Sequence, residues 1–477
     1  MTFKVRILII CLVISTLAFV SRRFHLDDAL IYARYATNAL HGRGLEFNPG
    51  EHVNALTSIL NTWVLLGTAY LLHGNVLLAQ TVLSAGFLFW AALLAEEVVP
   101  FAGIFIAANS FFYFCFGMET SLFVLLLILT MRAYIKGEID WLPVLCTLTF
   151  LARFEGGAVA LVIAFLLIKQ HRYPKLLTFL PAIFLLLAYV ASNQFFYGHL
   201  LPQSTTAKFG QGMSGFWGRW PTAFLRVPEQ VFRPLGGSWL FVPVVAALSW
   251  IGSTRVQIRA FNQVVAPFLI ILAAFYILFN IPSYYWYYGP FLFFATMYLA
   301  ALIPSTRTAY IFAILFTLGF TEASAAYLRH SAKEATDYRD MARWITNHSS
   351  PDIKVATVET GTIGWYCDRY IIDIVGLTTP SNAHYTAKGD FSSWFQAKPD
   401  LIIVHPANPF PWEKIALQSD EYQLQPTHFG SVWLLKKKAS PALMTSQVND
   451  SSHTLTPKVP PDRDRAVPVH SSRNTPE

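Results

Sequence analysis

Phe24-His25-Leu26-Asp27-Asp28-Ala29-Leu30-Ile31-Tyr32-Ala33-Arg34-Tyr35-Ala36-Thr37-Asn38-Ala39-Leu40-His41-Gly42-Arg43-Gly44-Leu45-Glu46-Phe47-Asn48-Pro49-Gly50 is a polar stretch between two apolar runs, Val5 to Ser21 and Thr57 to Leu72. Each run approaches the ~20 residues that cross a bilayer, so the stretch reads as a loop at a membrane surface. Outward from it, further apolar runs recur at Val76 to Ala95, Val98 to Phe116, Thr120 to Ile135, Leu142 to Ile168, Leu176 to Phe195, Trp239 to Ile251, Val264 to Phe279, Gly289 to Ile303 and Ala309 to Leu328. The pattern predicts a mainly α fold, a polytopic transmembrane helical bundle of about 11–13 spans. The spread comes from Leu142 to Ile168, which holds Arg153-Phe154-Glu155-Gly156-Gly157 and reads either as one span or as two short helices meeting at a polar break.

Composition agrees. Of 477 residues, 54% are hydrophobic and 13% charged, far below the ~25% charged of a soluble globular chain. The net charge of +7 does not point to nucleic acid, because Lys and Arg gather in short connectors at Lys4/Arg6, Lys169 to Lys175, Arg255/Arg259 and Arg307. Such clusters stay cytoplasmic, which puts the connectors 22–56 and 197–238 on the opposite side. Cys11, Cys115, Cys146 and Cys367 have no metal-ligand spacing, and neither a disulfide framework nor a zinc site is expected. The basic start and first apolar run lack a good small-x-small cleavage pattern, so they read as an uncleaved first helix.

After Leu328 the sequence turns to mixed polarity, with a helix expected at Lys333 to Asn347 and strands at Lys354 to Val358, Tyr370 to Val375, Leu401 to Val404 and Val432 to Leu435. The domain reading is therefore a membrane domain over 1–328, a small soluble extracytoplasmic α/β domain over 329–438, and a Ser-, Pro- and Thr-rich disordered tail over 439–477.

Chemistry concentrates in the first loop. Asp27 can start a helix that Gly42 ends, and on it Asp27, Ile31, Arg34, Asn38 and His41 share a face. A carboxylate and a guanidinium seven residues apart stand about 10 Å apart along the axis. One could handle an acceptor hydroxyl while the other holds a phosphate across a sugar ring; the plainer alternative is a capped surface helix with a solvated polar stripe. Glu119, Arg153 and Glu155 lie in or beside apolar segments, where ionisable groups cost ~2.5–3.5 kcal/mol and are functional by default. An Arg153–Glu155 ion pair closing a helix break is the structural alternative. His199 beside Gly198 reads as an interfacial loop residue more readily than a phosphate ligand. The run Ser283-Tyr284-Tyr285-Trp286-Tyr287-Tyr288 reads as an interfacial aromatic belt. Gly361-Thr362-Ile363-Gly364 lacks the dinucleotide fingerprint and reads as a tight turn.

Asp27-Asp28 after the first span, Tyr32-x-Arg34-Tyr35, Gly42-x-Gly44-Leu45-x-Phe47-Asn48-Pro49-Gly50-Glu51 and Thr57-Ser58 together resemble integral-membrane glycosyltransferases of the GT-C fold, and most of all their bacterial arabinofuranosyltransferase-like branch. Gly117-Met118-Glu119-Thr120, Leu151-Ala152-Arg153-Phe154-Glu155-Gly156 and the segment Tyr197 to Lys208 extend the resemblance. So do Gly361 to Tyr366 and Ile372-Asp373-x-x-Gly376-Leu377, and together these cover about residues 1–380. Two departures stand out, Phe154 where the family often has Pro, and Gln203-Ser204 where it has Asn-Thr.

The resemblance implies transfer of a sugar from a polyprenyl-phosphate donor to a glycan, lipid or protein acceptor at the periplasmic face of a bacterial inner membrane. It implies that Asp27 or Asp28 is the general base, the other orienting the acceptor or binding a divalent metal, Mg or Mn. A hydroxyl near pKa 15 attacks well only when a carboxylate receives its proton. Arg34, Arg153 and Lys208 are the candidates for the donor phosphate, with Glu119, Glu155, Asn38 and His199 supporting. A transporter or flippase of lipid-linked or small polar substrates is the competing class. It predicts two similar halves with paired interrupted helices, and no internal repeat is seen.

Overall fold

The computed structural model describes residues 2–200, 202–224, 241–303, 307, 308, 311 and 335–438. The expected span at Ala309 to Leu328 and the tail after Lys438 lie outside these residues, apart from position 311, as does all of 225–240. The apolar sequence folds into α1 (Phe3–Ser21), α2 (Asp27–Leu40), α3 (Ile59–Leu71), α4 (Val76–Val98), α5 (Ala102–Ala108), α6 (Ser110–Phe114), α7 (Thr120–Lys136), α8 (Leu142–Ala152), α9 (Gly157–Lys169), α10 (Phe179–Tyr197) and α11 (Gln203–Met213). Helices Phe241–Ser253, Val256–Leu278 and Gly289–Ala300 follow.

Among the described residues, four segments are long and apolar enough to cross a bilayer unaided: Phe3–Ser21, Val76–Val98, Leu176–Tyr197 and Ile258–Leu278. The protein is a multi-pass membrane protein. Several other runs form shorter helices because polar residues interrupt them. The run expected at Val98 to Phe116 breaks at Asn109, whose side chain accepts the Phe111 N–H at 3.1 Å and starts α6. Leu142 to Ile168 is two helices, α8 and α9, separated by an extended Arg153 (φ −157°, ψ 136°) and a short 3-10 turn over Phe154–Gly156.

The C-terminal part is a five-stranded mixed sheet in the order β2-β1-β3-β5-β4. Strands β1 (Lys354–Thr357), β2 (Tyr370–Asp373) and β3 (Leu401–Val404) are parallel, and the hairpin β4 (Tyr422–Phe429) and β5 (Val432–Lys437) closes it antiparallel on β3. Strand β4 adds to the four strands expected. Its polar alternation and Pro426 hide it in the sequence, and an edge strand tolerates both. The other edge, β2, is covered by the first loop: the Asn48 amide donates to the Ile371 carbonyl (2.9 Å) and accepts its N–H (3.1 Å), as a neighbouring strand would. Residues 335–348 are helical, in line with the helix expected there.

The segment expected to be a tight turn at Gly361–Gly364 is instead part of a helix, Thr360–Cys367. Its glycines allow close packing on α2. A Cβ on Gly361 would stand 1.8 Å from the Asp27 carbonyl oxygen, and one on Gly364 would stand 2.7 Å from the Arg34 guanidinium.

Candidate functional site

Helix α2 begins at Asp27 and ends before Gly42, whose φ of +73° fits a helix stop. The polar stripe expected on it is present, and it faces the C-terminal domain and its own loop. The Asp27 carboxylate accepts the Gly361 N–H (3.1 Å) and the Thr362 N–H (2.6 Å), an anion at a helix start. Arg34 donates to the carbonyls of Phe47 (2.7 Å), Arg369 (2.7 Å) and Gly364, and stacks over the Phe47 ring at 4.5 Å. Asn38 donates to the Glu46 (2.8 Å) and Phe47 (3.1 Å) carbonyls. Holding a donor phosphate, the role expected of Arg34, does not fit this geometry. Its guanidinium is buried, borders neither cavity described below, and is spent on backbone carbonyls. His199 is exposed and borders neither cavity.

Asp28, one residue on and so about 100° around the helix, points away from the stripe. Its Oδ2 is 3.7 Å from the Lys208 ammonium on α11. Both line a cavity of about 440 Å³ between the first loop, α11 and the sheet. Its far wall is made where the parallel strands end: Thr357 closes β1, Asp373 closes β2, and His405 follows β3. Open α/β sheets bind ligands at that end of their strands.

Burial, and then the charge of Asp28, push the Asp27 carboxyl up to about 7, against the opposing pull of the Thr362 and Gly361 N–H donors. Burial lowers the pKa of His25, in the same wall, to about 4, so its imidazole is neutral at pH 7. The Asp373 carboxyl is also raised by burial, although it accepts the Val375 (2.9 Å) and Thr378 (2.7 Å) N–H groups.

Lys208 also borders a second cavity, of about 360 Å³, between α9, α11 and Val256–Leu278. One end of this cavity is polar, with Arg153, Glu155 and Thr57. The rest is lined by Leu161, Ile271 and Phe275, whose side chains are exposed on the outer surface of the bundle, where lipid is the solvent. Arg153, freed from helical geometry by the α8–α9 break, donates to Glu119 at 2.5 Å and to Glu155 at 2.8 Å. Glu119 is fully buried and also accepts from Tyr32 (3.0 Å) and Thr57 (3.2 Å), while Tyr276 donates to Glu155 at 2.9 Å. The ion pair weighed for Arg153 and Glu155 is therefore present, and it borders a cavity.

The aromatic run after Ser283 differs from the belt expected. Trp286, Tyr287 and Tyr288 are buried. The Lys208 ammonium lies 3.9 Å from the Tyr284 ring centroid and the Arg153 guanidinium 4.8 Å from that of Tyr287, cation–π distances that hold both cations in place. Gln211, which accepts from Tyr284 at 2.9 Å, lines the larger cavity one turn beyond Lys208. Its spacing of three residues from Lys208 on a helix was the only sequence signal for it.

Among the described residues, no group of three or more His, Cys, Asp or Glu is arranged to hold a metal ion. At the carboxylate pair, both Asp27 oxygens accept amide N–H groups, and Lys208 supplies a positive charge beside Asp28. This donor set fits Mg or Mn poorly, since such ions need several free oxygens.

A family model described as Domain of unknown function (DUF8728) matches residues 326–449, the part that contains the sheet. No curated protein matches the chain. In fold, the chain is similar to ArnT. The crystal structure of ArnT from Cupriavidus metallidurans bound to undecaprenyl phosphate superposes with a TM-score of 0.60 at 12% identity, covering 91% of this chain and 98% of that one. The apo structure of the same protein gives a TM-score of 0.57 at 11% identity over the same shares. The likeness in fold takes in both the bundle and the C-terminal sheet.

Proposed function

We propose that the protein is a membrane glycosyltransferase that moves a sugar from a polyprenyl-phosphate donor to an acceptor hydroxyl. The observation that carries this reading is that Lys208 borders both cavities: one with Arg153 at its polar end and an apolar, lipid-facing wall, the other with a carboxylate pair. A lipid phosphate suits the first. The undecaprenyl phosphate bound by ArnT supports the same class of donor here.

In this reading Asp28 is the base. The acceptor oxygen forms a bond to the anomeric carbon, its proton passes to the Asp28 carboxylate, and the bond from that carbon to the phosphate oxygen breaks. The electron pair leaves with the polyprenyl phosphate, whose charge Lys208 neutralises. Arg153 lies at the same end as a further guanidinium donor, held in place by Glu119 and Glu155. Asp27, tied to Gly361 and Thr362, fixes the start of α2 and thereby aims Asp28.

The first-loop motif supports the arabinofuranosyltransferase-like branch, and the basic connectors support an active site on the extracytoplasmic side of a bacterial inner membrane, with 329–438 as an extracytoplasmic domain. The test is purified full-length protein with a radiolabelled polyprenyl-phosphate sugar and a crude envelope acceptor fraction. Transfer of label supports the reading. Intact donor carried across proteoliposomes with no label transferred would replace it with the flippase class.

A further inference from the structure

The larger cavity has a wall that the transfer step does not use. In the same lining as Asp28, four aromatic side chains from two distant parts of the chain meet: Phe216 and Trp217 just beyond α11, and Phe410 and Trp412 after β3. The Trp412 ring stacks nearly parallel with Phe410 (5.0 Å, 11°) and with Trp217 (6.2 Å, 15°), and Phe216 meets it edge-on at 4.9 Å. Trp412 is buried, while Phe410 is 40% exposed and Phe216 37%. The cluster therefore has a packed base and an open rim.

Around it the charge is one-sided. Among the described lining residues, Lys208, 3.7 Å from Asp28, is the one lysine or arginine, set against the carboxyl groups of Asp27, Asp28, Glu359, Asp373 and Glu413. Of these, Glu413 is paired with His405 at 2.8 Å, and Asp27 and Asp373 accept backbone N–H groups. The second cavity differs, with Arg153 and Lys208 against Glu155.

These features select a ligand chemistry. A sugar ring presents a face of C–H bonds with positive edges, which pack flat on the negative face of an aromatic ring. Its hydroxyls are donors, and carboxylates are acceptors for them. A phosphate or carboxylate would meet the like charge of these carboxylates.

Resting on the transferase reading above, we infer that this cavity is the acceptor site and takes a glycan without anionic groups, packed on Phe216 and Phe410 at the exposed rim of the aromatic cluster, with its reacting hydroxyl at Asp28. The C-terminal domain then supplies half of the acceptor site, and opposite charge keeps the acceptor and the lipid phosphate on their own sides of Lys208. An apolar or basic peptide also suits aromatics beside carboxylates; the glycan is favoured because the transfer step places an acceptor hydroxyl at Asp28.

The test uses full-length, detergent-solubilised protein on an array of neutral, carboxylated and phosphorylated glycans together with peptides, with undecaprenyl phosphate binding measured in parallel. The expected result is binding to neutral glycans, weakened about 2- to 10-fold by Phe410→Ala and by Phe216→Ala at the exposed rim. Undecaprenyl phosphate affinity should stay unchanged in both variants, which also reports that they are folded. Binding confined to phosphorylated or carboxylated glycans or to peptides, no glycan binding, or neutral-glycan binding unaffected by both variants would overturn the inference. If undecaprenyl phosphate binds while neutral glycans do not, the acceptor assignment fails and the transferase reading stands. Should neither bind, both fall.

Discussion

Arg34 and Arg153 are both buried arginines in polar seams of this molecule, and their partners differ in kind. Arg34 donates to the backbone carbonyls of Phe47, Gly364 and Arg369. Arg153 is held between the carboxylates of Glu119 and Glu155 at the edge of a cavity. An arginine that satisfies buried carbonyls closes a structure, because those uncharged acceptors are held by its donors. One held between carboxylates beside open space keeps its donors at the edge of a site that a ligand can enter. The contrast extends to the aspartates: Asp27 ties α2 to the C-terminal domain, while Asp28, one residue on, faces the cavity with Lys208.

The sharpest way to break this contrast is at the aspartates. Asp28→Asn keeps size and polarity but removes the proton acceptor, and turnover should fall by ~10² to 10⁴ with donor affinity little changed. Asp27→Asn should lose less turnover. An equal or larger loss at Asp27, measured by single-turnover transfer, would reverse the roles assigned here.

Arg34→Ala should act on stability. Each hydrogen bond from a charged donor contributes ~1.5–3 kcal/mol, so the variant should unfold at a clearly lower temperature in detergent while the folded fraction binds donor normally. Gly361→Ala drives a Cβ against the Asp27 carbonyl oxygen, and overpacking of this kind costs ~1–3 kcal/mol. Thermal unfolding followed by tryptophan fluorescence checks both.

The smallest effect is on pH dependence. Asp27 has a folded pKa raised to about 7 from an ordinary 3.8. Between those values the folded state holds a proton that the unfolded chain has lost, so this contribution to stability is full below about pH 4 and is lost as pH rises through about 7. The unfolding temperature should decline from pH 5 to 7.5, less so in Asp27→Asn. An identical slope in the two proteins would mean that the buried carboxylate is not the group responsible.

Much of this arrangement is legible in the sequence, and the limit is instructive. The extent of α2 and its stripe of Asp27, Arg34 and Asn38 follow from spacing alone, whereas the break at Arg153 is one of two readings that the sequence allows for Leu142 to Ile168. What the stripe faces does not, because it is decided by residues more than three hundred positions away, Gly361, Gly364 and Arg369. The same holds for Tyr284 and Trp286, which look like a membrane belt until Lys208 is packed on them. Local rules fix which residues share a helix face. Only tertiary packing decides whether that face meets backbone, lipid or a cavity.

The central claim is that Lys208 marks the meeting point of donor phosphate and acceptor base, and that Arg34 does not touch the donor. Undecaprenyl phosphate affinity in nanodiscs, compared across wild type, Lys208→Gln and Arg34→Lys, tests it most directly. Loss of a charge-assisted contact predicts binding about 10- to 150-fold weaker for Lys208→Gln and wild-type affinity for folded Arg34→Lys. Unchanged affinity in the Lys208 variant, with weakened binding in the Arg34 variant, would contradict the account.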